Sequence, residues 1–385
     1  MWSADTLMFN GVSYDAAYSG STEIWRKEEP ASGNYLTFTV VSGGTISWHH
    51  FTNWSNPKTI YYRHQGEDEW TALTSSVDAT SSTITVEEGE VYEFKGTNAT
   101  FQGTDVFKSS AMFDLSGNIM SLLYGNTNFD NRYTFDADQT FKLFFTECKV
   151  RDISQLVLPA TALTQACYSG MFYGSSITGA TPQLPATNLA AACYASMFSN
   201  TRITTPPALP ATTLASQCYY RMFEQCYDLE SAPALPATSL SWDCYRSMFN
   251  NCTSLTTAPA LPATTLATNC YDGMFENTSI TVAPALPATT LAASCYRQMF
   301  YMCVELTTGP ELPATTLVDS CYRDMFNHCY KINYIKCLAT DISATDCTLN
   351  WVDTVASAGT FVKASSTNWT TGVNGIPNNW TVEEV

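Results

Sequence analysis

Fourteen cysteines and four histidines are the residues of this 385-residue chain whose chemistry most needs an account. One series of cysteines stands at Cys167, Cys193, Cys218, Cys244, Cys270, Cys295, Cys321 and Cys347, in steps of 25 or 26 residues. In several units a second follows eight residues later, at Cys226, Cys252, Cys303 and Cys329. Thiols in such numbers raise two possibilities, a disulfide framework or metal sites. On a helix, residues eight apart lie about 12 Å from one another, beyond disulfide reach. Equivalent positions on stacked helices are about 8–10 Å apart, also too far. The chain has no CxxC pair, so a zinc ribbon is disfavoured. The cysteines therefore read as small apolar fillers, stacked in ladders on the inner side of each expected helix.

The other candidate groups are sparse. His49, His50 and His64 fall in one strand-like region, and adjacency points His49 and His50 to opposite faces of a strand. That is too few ligands for a metal, so these histidines are expected at the surface. Asp130, Asp136 and Asp138 share a loop but lack calcium-loop spacing and a bidentate Glu, which predicts a solvated loop. Glu87 and Glu88 sit in an expected turn. There is no GxSxG, no HExxH and no phosphate loop. The recurring LPAT tetrapeptide lacks the glycine of a sortase signal and reads as structural. No catalytic residue, metal or cofactor is expected.

The elements that position the cysteines come from one repeated phrase, LPATTLxxxCYxxMFxxCxxLTxAP, clear from Leu209 to Pro233 and again from Leu235 to Pro259. A fixed period of this length specifies a solenoid, in which each turn buries its apolar side against its neighbours. Leu214, Cys218, Met222 and Cys226 are spaced by four, and with Phe223 this spacing predicts a helix capped by Thr212 or Thr213. The APALP stretch resists helix and predicts an extended segment. Extended segments stack about 4.8 Å apart and helices about twice that, which predicts an arc with helices on its convex side. The units at Cys193 and Cys270 drop one residue and the second cysteine, reading NTRI and NTSI.

The expected fold class is therefore an α/β solenoid of about eight turns of 25–26 residues, preceded by a small antiparallel β-sandwich. Residues 1–30 read as an N-terminal attachment segment with hairpins at Asn10-Gly11 and Ser19-Gly20. Residues 31–97 read as a sandwich of about six strands with Leu36, Phe38, Trp48, Tyr62, Trp70, Ile84, Val86 and Phe94 in or near its core. Residues 98–156 form an N-terminal cap, in which Phe144-Phe145 stands where MF stands later and Cys148 takes the place of Cys226. The solenoid proper spans 157–349 and a C-terminal cap 350–385.

Composition bounds the partners. With 18 Lys+Arg against 35 Asp+Glu, the net charge of −17 repels nucleic acid and anionic membranes. An aromatic content of 13% beside only 14% charged residues leans toward an adhesive or extracellular protein. No apolar run has the length of a signal peptide or a membrane span. The expectation is a mature or trimmed chain, or one that leaves its cell inside a virus particle, with no membrane insertion.

Two resemblances follow from these residues. The stretch from Asp5 to Trp25, with Phe9, Asn10, Gly11, Tyr18 and Trp25, resembles the short leaders that open many bacteriophage tail and fibre proteins. The LPATTLxxxCYxxMF phrase, over about residues 98 to 385, resembles the BspA-like leucine-rich-repeat surface proteins of gut bacteria and their phages. That second resemblance implies a leucine-rich-repeat fold, a role in adhesion or recognition, and no catalytic residues. The expected function is a non-enzymatic virion protein of a gut bacteriophage, a fibre or receptor-binding subunit. The alternative is a secreted BspA-like adhesin on a bacterial cell surface. Expected partners are a host or cell-surface receptor, protein or glycan, and other virion subunits through the N-terminal segment, with homo-oligomerisation open. Core positions repeat while the residues after CY vary, so Tyr220, Arg221, Arg246, Asp272, Arg297, Arg323 and Asp324 form the candidate partner-binding face.

Overall fold

In the computed structural model the described residues are 34–385, except 52–55, 79–81, 126 and 366, together with four short strands nearer the N-terminus. Those four are β1 (Leu7–Phe9), β2 (Val12–Tyr14), β3 (Ala16–Ser19) and β4 (Thr22–Arg26). β1 pairs antiparallel with β2, Leu7 opposite Tyr14, and β3 with β4, Ala16 opposite Arg26. The two expected hairpins are thus present. Phe9, Tyr18 and Trp25 lie on these strands, and Asn10 and Gly11 lie outside the described residues.

Alternating apolar runs then build two facing sheets. The strands are β5 (Leu36–Ser42), β6 (Gly44–His50), β7 (Thr59–His64), β8 (Thr71–Thr74), β9 (Thr83–Val86), β10 (Val91–Gly96), β11 (Asp105–Ser109) and β12 (Met112–Asn118). With β13 (Gln155–Val157), they form a six-stranded sheet in the order β13-β12-β5-β10-β7-β8 and a three-stranded sheet β11-β6-β9. Phe38 and Phe94 of the larger sheet meet Phe107 of the smaller at ring-centroid distances of 5.0 and 5.5 Å. Leu36, Phe38, Trp48, Val86 and Phe94 are buried, with Tyr62, Trp70 and Ile84 packed against them. Both sheets run past the boundary expected at residue 97, because β11 and β12 complete them.

From there the chain winds into a β-solenoid of about eight coils. The helices expected over the Leu214–Cys226 stripe and its equivalents are absent. In their place each coil carries a run of consecutive tight turns. Cys218, Tyr220, Met222, Glu224 and Cys226 donate their backbone N–H to the carbonyl three residues back, at 3.1–3.3 Å. The intervening Tyr219, Arg221, Phe223 and Gln225 donate instead to Cys244, Arg246, Met248 and Asn250 of the next coil, at 2.8–3.1 Å. Every fourth residue is left-handed to make this possible: Gln217, Arg221 and Gln225 have φ of 56°, 53° and 59°, and a left-handed residue at the second central position is what a type II turn needs. Two coil-to-coil bonding sides replace one strand side and one helix side. The spacing mismatch that predicted an arc with convex helices therefore does not arise, and Thr212 and Thr213 cap no helix; Thr213 bridges Ser239 of the next coil.

The core of the coils is continuous with that of the sheets. A column of stacked phenylalanines runs Phe107, Phe145, Phe172, Phe198, Phe223, Phe249, Phe275, Phe300, Phe326, with centroid distances of 5.4–6.0 Å. Beside it stack Tyr168, Tyr194, Tyr219, Tyr245, Tyr271, Tyr296 and Tyr322. Phe141, Phe144 and Phe145 occupy the Tyr, Met and Phe positions of an opening coil, as the N–H bonds of Phe141 to Cys167 and of Phe145 to Met171 show. At the other end Trp351 takes the Met position, stacks on Tyr322 at 6.2 Å, and is covered by Trp369 at 5.4 Å.

Candidate functional site

All fourteen cysteines are free and buried. Burial pushes the Cys303 thiol up to about 11 and those of Cys148, Cys193, Cys226, Cys244, Cys295 and Cys337 to about 12. Thiols so placed stay protonated and lack the thiolate needed for nucleophilic or redox chemistry. The second column does more than fill space. Cys226, Cys252, Cys303 and Cys329 donate S–H to the carbonyls of Phe198, Phe223, Phe275 and Phe300 on the preceding coil, at 2.9–3.0 Å. Cys148 does the same to Phe107. Where the cysteine is missing, Thr201 and Thr278 donate a hydroxyl to Phe198 and Phe275 of their own coil, at 2.7 and 2.9 Å. The shortened units NTRI and NTSI therefore keep a buried donor.

The three loop aspartates go to separate partners: Asp130 accepts from Asn34, Asp136 from Tyr124 and Asp138 from the backbone N–H of Gln165, at 2.9, 2.7 and 2.9 Å. Among the described residues no cluster of three or more His, Cys, Asp or Glu is arranged to hold a metal. The expectation of surface histidines fails for His50, which is 2% exposed. Its Nδ1 lies 2.9 Å from Asp105, itself fully buried. Asp105 also accepts from the Ser75 hydroxyl and, at 3.2 Å, the Lys58 N–H. Serine and histidine both point at the carboxylate rather than at each other, so the group ties β6 to β11 and makes no relay. Asp105 carries no signal in the sequence that marks it for this role.

The seven residues chosen for the partner-binding face all lie on the turn side of the coils, two or three residues after the cysteine. Asp272 is 2% exposed and holds two guanidinium groups from the coils on either side. Arg297 grips it with two bonds of 3.1 and 2.8 Å, and Arg246 lies at 3.1 Å. Arg246 also reaches Asp243 at 3.6 Å, and its guanidinium lies 5.9 Å from the Tyr220 ring, over which Arg221 sits at 5.0 Å. Arg221 pairs with Glu224 at 3.5 Å, and Arg323 with Asp324 and Asp346, each at 3.4 Å. The face is thus a network of ion pairs within and between coils.

Three acidic residues of this network escaped the sequence reading. Asp243 is 1% exposed and receives the Gln217 side-chain amide at 3.3 Å. Glu224 and Glu276 are half-buried, and burial pushes both carboxyls above the usual range. For Glu276 the negative charges of Asp272 and Glu224 push further in the same direction. The signal for all three was positional, since they occupy fixed offsets from the cysteine column.

No family model, curated relative or solved structure matches the chain.

Proposed function

We propose that this chain is a non-catalytic display protein of a bacteriophage particle, a fibre or receptor-binding subunit whose solenoid meets the host surface. The observation that carries this reading is the contrast between two sets of columns in one coil. The Cys, Tyr, Met and Phe columns are nearly invariant and buried. The columns directly beside them change from Tyr220 to Arg246, Asp272, Arg297 and Arg323 while staying in register. A scaffold that fixes its interior and varies one outer face suits recognition, as in other repeat arrays. The leader with Phe9, Asn10, Gly11, Tyr18 and Trp25 supports attachment to other virion subunits through the N-terminal segment. The coil phrase supports a relationship to BspA-like leucine-rich-repeat proteins, and the same face would serve a bacterial surface adhesin.

The test follows from the network. Replacing Arg246, Arg297 and Arg323 alone by Ser does not leave the fold untouched, because Asp272 would remain buried without its partners, a defect of about 3 kcal/mol. Replacing Asp243 and Asp272 by Ser together with the three arginines removes both buried charges and their partners at once. Attachment of the purified protein to host cells is expected to fall at least about tenfold, or 1.4 kcal/mol, with an unchanged circular dichroism spectrum. Undiminished attachment would remove this face from the reading.

A further inference from the structure

The stacking of the coils changes what the cysteines can do to one another. Backbone bonds from Tyr194 to Cys218, Tyr219 to Cys244, Tyr245 to Cys270 and Tyr271 to Cys295, at 3.0–3.1 Å, hold the first cysteine column in register from coil to coil. Neighbours bonded in this way have equivalent Cα atoms about 5 Å apart, not the separation of stacked helices, and that lies within disulfide range. Parallel stacking keeps the Cβ atoms about as far apart, wider than the ~3.8 Å that a disulfide takes. Neighbouring thiols are thus close without being linked, and Cys167, Cys193, Cys218, Cys244, Cys270 and Cys295 are wholly buried. The second column lies beyond the methionines, its S–H groups committed to carbonyls of the preceding coil. Before winding, nothing holds these thiols apart. Cys218 and Cys226, like Cys244 and Cys252, are only eight residues from one another, a loop that closes readily in a flexible chain. A bridge between them would draw together two columns that the coil keeps on either side of Met222 or Met248.

We propose that this chain winds with all its thiols reduced, in a reducing cell interior, and meets an oxidising exterior only as a finished fold. The coil itself is then the barrier to oxidation. The step it excludes is thiol–disulfide exchange, in which two cysteine thiols and one glutathione disulfide give a protein disulfide and two glutathione thiols. The protein sulfurs lose two electrons, the glutathione sulfurs gain them, and the two thiol protons pass to the glutathione. An unfolded cysteine, with its pKa near about 8.5, supplies the attacking thiolate. In the wound chain burial withholds the thiolate and the partner cannot reach the sulfur. This goes beyond the recognition reading, since no residue of the charged face takes part. It bears on how the protein leaves its cell. A particle freed by lysis delivers chains already folded, whereas a secreted adhesin crosses the envelope as an unfolded thread and meets an oxidising compartment before its coils have wound.

Refolding of the full chain from guanidinium chloride tests this, once in reduced glutathione and once in an excess of oxidised glutathione. Under reduction the soluble folded chain is expected to return, with its fourteen thiols titratable by a chromogenic aromatic disulfide only after denaturation. Under oxidation the yield of that species is expected to fall by more than half, and mass spectrometry to find bridges such as Cys218 to Cys226. The native chain held in the same oxidised glutathione keeps its thiols and its melting temperature. Cys226→Thr, Cys252→Thr, Cys303→Thr and Cys329→Thr made together place in the second column the hydroxyl that Thr201 and Thr278 already supply. This variant is expected to refold under oxidation in higher yield than the parent. Equal yields of the parent in the two buffers, native thiols consumed as fast as denatured ones, or a native fold recovered with disulfides in it overturns the proposal. So does a variant that folds under reduction yet gains nothing under oxidation. None of these readouts involves host cells, so their failure leaves the recognition face to its own test.

Discussion

Glu276 shows how a single side chain reports on the packing around it. Its carboxyl is half-buried beside Asp272 and Glu224, and burial and like charge both raise its pKa. A carboxylate raised in the folded state binds its proton more tightly there than in the unfolded chain. Its ionised form thus penalises folding at neutral pH, and the penalty fades as pH falls through the raised value toward that of a free carboxyl. Glu276→Gln removes the charge without changing shape. Its thermal midpoint is expected to exceed that of the parent near pH 8 and to coincide with it near pH 4. A gain of equal size at both pH values would mean that charge is not the cause. The cysteines teach a related lesson. Their count and spacing read correctly as packing material, yet the S–H bonds to phenylalanine carbonyls depend on which carbonyl of the preceding coil lies within reach, and no local pattern encodes that.

At the scale of the element, a spacing of four marks successive tight turns and not a helix. An α-helix advances about 100° per residue, so four residues overshoot a full circle by about 40°. From Leu214 through Cys218 and Met222 to Cys226 that overshoot accumulates to about 120°, which would carry Cys226 off the stripe. A strict period of four buried at every step therefore belongs to successive turns. The sequence carried a second sign at the left-handed positions, where Ser196, Asn200, Ser247, Asn251, Asn269, Asn277 and Gly273 are turn-formers rather than helix-formers. Ser247, at φ 54°, gives the test. Ser247→Val puts a β-branched side chain where only compact or flexible residues fit and is expected to cost about 1–2 kcal/mol, whereas Ser247→Gly is expected to be neutral or mildly stabilising. Chemical denaturation distinguishes them, and a harmless valine would refute the turn assignment. The strands of the sheets were legible because alternation acts locally, whereas the extension of both sheets by β11 and β12 depends on pairing partners far away in sequence.

From residue 34 onward the described residues form one stacked object whose two ends are finished differently. At the N-terminal end the sheets provide the seat: β12 pairs parallel with β13, and Phe107 begins the phenylalanine column. At the C-terminal end, residues 369–376 cover the last coil. Asn350 donates to the Asn374 side chain at 2.6 Å, Val352 to the Val373 carbonyl, and Trp351 to the Gly375 carbonyl at 2.9 Å. Ending the chain after Thr354 is expected to abolish the soluble monomer, seen as aggregation in gel filtration. The milder Asn374→Ala should cost about 1–2 kcal/mol. A truncated chain that stays monomeric with an unchanged melting temperature would show that the cover is dispensable.

Every N–H that crosses between coils on the turn side points the same way, from a coil toward its successor. On the opposite side the bonds run back to the preceding coil, as from Arg202 to Ile177 and from Thr307 to Thr281, so each side of the array has its own direction. A newly added coil presents an unfilled row of donors until the following one arrives, so ribosomal order and structural order coincide. Winding can proceed from the seated end while the remainder is still being synthesised, and only the terminal lid halts it.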